Sequence, residues 1–268
     1  MLYLQDVSFK FEILSFKIGF MGAALVSLHP ETHQIMIIEQ RFLKAQKRKK
    51  TKSTRILLLP KLCFSKVVDF EVAGSRQDSV GLVTIQGECW VFKIGLRQRK
   101  VLKTCFVRLN LLDIVKERAL SFCLCPKADF GVIHIRCESD SNESKLVLVE
   151  VRDCFRTPKI IQEIKVKHKK GHFRYFSKLA FSAYFKDSAV LTALEIGNET
   201  ELTRIQSFKF NSKRKKLKKS RMIKNRDFLA SRPVKIQRWG RLGSFILTKD
   251  GSMVFFQYNF NKSEKYKN

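Results

Sequence analysis

Five times along the chain a small residue opens a run of about six strand-forming residues, the run turns on polar residues or glycine, and an apolar run returns. The segments are Gly22–Leu28 with Gln34–Glu39, Gly81–Ile85 with Cys89–Ile94, Gly131–Ile135 with Lys145–Glu150, Ala189–Leu194 with Leu202–Ile205, and Gly243–Thr248 with Ser252–Gln257. Each reads as a β-hairpin, because branched and aromatic residues bounded by turn formers favour two antiparallel strands. The opening residues stand 59, 50, 58 and 54 positions apart, so one supersecondary unit recurs with a near-constant period.

A further apolar run precedes each hairpin, at 9–18, 66–72, 120–125, 178–183 and 234–239, and fourth runs follow at 56–59 and 104–109. Four antiparallel strands repeated radially predict an all-β fold, a β-propeller of about five four-stranded blades. The expected domain spans 1–260, with blades starting near 8, 65, 118, 175 and 232 and a polar tail at 261–268. The last unit stops after its third strand, and Leu2–Val7 reads as a spare strand that could supply the missing one and close the ring.

Two hairpins carry a family resemblance. Gly81–Ile94 resembles the second and third strands of a WD-repeat blade, and Lys249–Tyr258, with its Asp250-Gly251 turn, resembles the turn and third strand of another. None of the third strands ends in Trp-Asp, so the pattern is that of a degenerate WD-repeat-like propeller. The resemblance implies a platform for binding partners, and function has to be argued from sites rather than from the fold.

Charge narrows the partners. The chain has 53 Lys and Arg against 24 Asp and Glu, a formal +29, and self-repulsion on that scale favours an anionic partner. Arg41–Arg55 holds eight basic residues and no acid, including Lys47, Arg48, Lys49, Lys50 and Lys52. Residues 213–226 hold nine and no acid, including Lys213, Arg214, Lys215, Lys216, Lys218, Lys219 and Arg221. Smaller clusters are Arg97, Arg99 and Lys100, and the run Lys165–Lys170 with Lys167, Lys169 and Lys170. All four are read as connectors between a third and a fourth strand, and equivalent connectors of a propeller project from one face. The expected surface binds nucleic-acid backbone, RNA above all, with a steep salt dependence and little sequence preference. The same lysine runs also fit nuclear addresses, which places the chain in the nucleus or nucleolus, or plain solvated loops.

Other chemistry is expected to be absent. No apolar run reaches membrane-spanning length, and the N-terminus lacks the features of a secretory signal, so neither a membrane nor an extracellular setting is expected. The seven cysteines read as reduced core thiols. Cys123, Cys125, His134 and Cys137 have the wrong spacing for a zinc knuckle, and His29 and His33 lack informative partners. Asp69, Glu71, Asp78 and Glu88 read as loop or strand-surface residues, and Trp90, Trp239 and Phe255 as packing. No catalytic motif, metal, cofactor or small-molecule substrate is implied. The leading expectation is a non-catalytic scaffold of a ribonucleoprotein assembly resembling ribosome-biogenesis complexes, with protein subunits and RNA as partners. The alternative is an adaptor whose basic face meets an acidic protein surface.

Overall fold

A computed structural model describes residues 16–19, 24–29, 34–39, 56–59, 66–98, 100–109, 111, 117–137, 143–151, 159–167, 173–197, 203–224, 233–239, 243–248 and 250–257. Among the described residues every regular element is a strand, and the strands group into five antiparallel sheets. Blade 1 holds β1 (Phe16–Gly19), β2 (Ala24–Leu28), β3 (Ile35–Glu39) and β4 (Ile56–Leu58). Blade 2 holds β5 (Val67–Ala73), β6 (Ser79–Thr84), β7 (Glu88–Gly95) and β8 (Lys100–Arg108). Blade 3 holds β9 (Glu117–Leu124), β10 (Phe130–Cys137), β11 (Glu143–Glu150) and β12 (Lys159–Lys167). Blade 4 holds β13 (Phe173–Phe185), β14 (Ser188–Gly197), β15 (Thr203–Asn211) and β16 (Lys216–Lys224), and blade 5 holds β17 (Pro233–Trp239), β18 (Gly243–Thr248) and β19 (Met253–Gln257).

Strand order follows chain order in every sheet, and the first strands of successive blades lie beside one another. Each blade therefore runs from an inner first strand to an outer last one. The sheets stack face to face, which explains why the middle strands are apolar without alternation: all six residues of β6 are buried. Separate apolar layers fill the gaps between blades. Val26, Ile37, Phe70 and Phe92 lie between blades 1 and 2; Val83, Cys89, Phe122 and Ile133 between blades 2 and 3; Phe130, Phe176, Phe208 and Phe210 between blades 3 and 4; Leu194, Ile205, Ile236 and Ile246 between blades 4 and 5.

The small residue opening the hairpins has a steric cause in blades 2 and 3. The ring of Phe122, on β9, lies against both Gly81 and Gly131. A Cβ at Gly81 would stand 2.6 Å from Phe122 Cε1, and one at Gly131 would stand 2.8 Å from Cε2. Two of the following turns share another device. Gly87 and Gly251 adopt φ of 78° and 85°, and each donates its N–H to the carbonyl of a threonine three residues earlier, Thr84 and Thr248.

Three expectations are corrected. The stretch 216–221 is not a connector: Lys216, Lys218, Lys219 and Arg221 lie on the outer strand β16, whose Leu217 points into the core at 1% exposure. Lys165 and Lys167 lie on another outer strand, β12, with Val166 buried between them. An outer strand has little neighbouring sheet to cover it, so lysines take its exposed positions and obscure its strand character. Phe255 is not packed away, since β19 is the last described strand of its sheet and the side chain is 59% exposed. Leu2–Val7, expected to close the ring, lies outside the described residues.

Candidate binding face

Strand alternation puts a blade's first-to-second and third-to-fourth turns at one end, and its second-to-third turn and outgoing connection at the other. Contacts between blades show that these ends coincide. Gly74 N–H, in the β5–β6 turn, donates to the Pro126 carbonyl in the β9–β10 turn at 3.1 Å. Lys127, in that same turn, lies 5.4 Å from the ring centre of Tyr184 at the end of β13. Asp187, in the β13–β14 turn, forms an ion pair with Lys213 of the β15–β16 turn at 2.9 Å, and Lys215 reaches back to Glu150 of blade 3 at 2.8 Å. The turns of blades 2, 3 and 4 thus form one surface.

That surface is basic. Arg76, Arg97, Lys127, Lys186, Lys213, Arg214 and Lys215 are all exposed in these turns, with Asp78, Asp129 and Asp187 the acids among the described turn residues. Lys186 and Lys215 have φ of 51° and 47°, a left-handed conformation that costs a side-chain-bearing residue about 1 kcal/mol or more. Glycine or asparagine would relax both positions, yet lysine occupies them. The neighbours respond to the charge. The Tyr184 side chain beside Lys127 holds its ammonium above the usual lysine value, and hydrogen bonding from Lys213 holds the Asp187 carboxyl below the usual carboxylate value.

The sequence-derived residues distribute unevenly over this frame. Arg97 lies in the β7–β8 turn, and Lys100 begins β8, both exposed. Lys213, Arg214 and Lys215 form the β15–β16 turn, and Lys216, Lys218 and Lys219 continue as exposed residues down the outer strand. Lys47, Arg48, Lys49, Lys50 and Lys52 lie outside the described residues, in the third-to-fourth connection between β3 and β4. Arg99, Lys169 and Lys170 are likewise outside. The expectation for the fourth cluster needs correction: Lys167 ends β12, a fourth strand, so its run leads to the next blade at the opposite end of the sheet. It also pairs with Glu143 at 3.4 Å. Sequence reading missed Arg76, Lys127 and Lys186, single basic residues in first-to-second turns. Strand polarity was the signal that could have found them, since those turns share an end with the lysine-rich ones.

The inner strands carry a second charged group, with a different character. Lys17 of β1 pairs with Glu71 of β5 at 2.9 Å. Asp69, also on β5, accepts the Phe122 N–H at 3.1 Å and lies 3.9 Å from Lys178 of β13. Burial alone would lower the Lys17 pKa, but Glu71 and Asp69 outweigh it and hold the ammonium above the lysine value. Asp69 and Glu71 are therefore inter-blade ties on the innermost strand rather than free surface acids. Nearby Cys123 is buried, and burial first, then these carboxylates, push its thiol well above the ordinary value. Cys125 is buried as well, His134 packs 5.4 Å from the Phe176 ring, and Cys137 donates to Glu117, which is ion-paired to Lys145. The geometry uses these residues for packing and ties.

No family model and no curated protein matches the sequence. Solved structures match the fold. The β-propeller domain of Myceliophteria thermophila Cps50 (Swd1) aligns with 96% of this chain and 73% of its own length, at TM-score 0.55 and 10% identity. The Vanderwaltozyma polyspora Nup133 β-propeller domain aligns with 96% of this chain and 76% of its own, at TM-score 0.57 and 11% identity. The Dos1 propeller aligns over 88% and 53%, at TM-score 0.51 and 9% identity. The chain has the β-propeller fold.

Proposed function

We propose that this protein is a non-catalytic propeller scaffold in a nuclear or nucleolar ribonucleoprotein assembly, binding RNA backbone through the face that carries the first-to-second and third-to-fourth turns. The observation behind the reading is the convergence of Arg76, Arg97, Lys127, Lys186 and Lys213–Lys215 on that face. A field of one sign concentrates a polyanion, and each neutralised phosphate releases counterion. The lysine runs at 47–50 and 213–219 support nuclear import as a second property of the same segments.

The test is a salt titration of binding to single-stranded RNA and duplex DNA. Micromolar or tighter binding that weakens steeply with salt is expected, and a flat dependence removes the reading. The adaptor alternative is favoured by one observation, that Lys213 and Lys215 already pair with carboxylates. Partners that remain bound to the tagged chain after nuclease digestion would favour it. Tagged chains with Lys213–Lys219 intact and neutralised test localisation, with loss of nuclear signal expected in the second.

A further inference from the structure

Like charges placed directly opposite on paired strands repel, with Cβ atoms about 5 Å apart, and such pairs are normally avoided. Two pairs of exposed lysines break this rule at equivalent positions: Lys93 opposite Lys103 across β7 and β8, and Lys209 opposite Lys218 across β15 and β16. Lys93 lies two residues before the end of β7, and Lys209 two before the end of β15. Each pair therefore sits just below a basic turn, holding Arg97 in one blade and Lys213–Lys215 in the other. Each also faces the following blade, Lys93 sharing a strand face with Val91 and Lys209 with Ile205.

Blade 3 supplies the contrast. There Lys145 opposes Lys165, and the Glu117 carboxylate pairs with Lys145. Among the described residues no carboxylate lies within ion-pair distance of Lys209 or Lys218. Lys209 and Lys218, both exposed and directly opposite on paired strands, lie two residues inside the turn that carries the exposed Arg214, and an anion there would relieve the repulsion.

We infer that the Lys209–Lys218 cross-strand pair is a phosphate grip for single-stranded RNA. This rests on the RNA-binding reading above. A grip of this kind weakens the free fold and strengthens the complex, a combination that neither a solvated lysine nor a structural one produces.

The test uses the full chain, the variant K209Q/K218Q, the charge-conserving variant K209R/K218R, and a labelled oligouridylate as probe. In the Gln variant we expect affinity near 0.1 M salt to fall by about an order of magnitude and the slope of log K against log salt to drop by about 1.4, as for two single-strand phosphates. Its Tm without RNA should rise by about 1–3 °C, because the repulsion is gone. The Arg variant should keep both the wild-type slope and the wild-type Tm. Unchanged RNA affinity in the Gln variant overturns the grip, as does a lowered Tm, and as does a loss confined to polyglutamate binding. If the wild-type chain itself shows no salt-dependent binding, the RNA reading fails, whereas normal wild-type binding with an indifferent Gln variant removes only the grip.

Discussion

Phe122 is the residue on which the packing of blades 2 and 3 turns, because its ring occupies the space that side chains at 81 and 131 would fill. Gly81→Ala should destabilise by about 1–3 kcal/mol through overpacking, lowering Tm by about 2–4 °C per kcal/mol in a domain of this size. Combining it with Phe122→Leu should recover part of that stability, and a thermal-melt double-mutant cycle with no coupling would contradict the contact. Lys17 provides a pH signature. Its folded pKa is raised above the ordinary 10.5, so its stabilising contribution is fully present below that value and disappears as pH rises through the folded one. In Glu71→Gln the largest raising influence is gone and burial pulls the ammonium down, so the loss of stability above about pH 10.5 should shrink or reverse, and denaturant melts of both proteins across that range check it.

Outer strands decide how the blades are joined at the rim. Gln162 on β12 accepts the Leu217 N–H at 2.8 Å and donates to the Leu217 carbonyl at 3.2 Å, so one side chain pairs with a neighbouring blade's backbone as a strand would. Gln162→Ala should cost about 1–3 kcal/mol, chiefly by leaving those Leu217 groups without their partner. Amide exchange should accelerate along β16 while β10 stays protected, and uniform acceleration would instead mean that the blades do not open separately. These strands were also the least legible in the sequence. Core strands such as β6 and β10 announce themselves by mostly apolar runs, and the hairpins they form stand where periodicity expects them. In β12 and β16 lysines occupy the exposed positions, so the two read as charged connectors.

Across the whole molecule, the two ends of the blades carry different roles. Neutralising Arg97, Lys213 and Arg214 to Gln should lower the RNA salt slope by about 2, one fraction for each phosphate no longer neutralised. Neutralising Lys66, Lys165 and Lys167, exposed at or toward the opposite end, should leave it near wild type. Equal effects from the two sets would show that net charge alone drives binding and that the face has no special part. Ionic screening sharpens the contrast, since near 0.15 M salt the potential decays within about 8 Å and one end hardly feels the other.

Sequence alone determined the class of fold, because a hairpin period of 50 to 59 residues with strands apolar on both faces can bury its surface only by stacking sheets. It also located the charge, since lysine-rich runs are visible in any reading. Tertiary structure decided which basic residues act together. Facing direction depends on whether a residue falls in a turn or on an outer strand, and the register of β12 put Lys165 and Lys167 toward the opposite end while strand polarity brought Lys127 and Lys186 onto the basic face. The opposition of Lys209 and Lys218 is a matter of register, which hydrogen bonding between strands sets and residue spacing along one chain does not reveal.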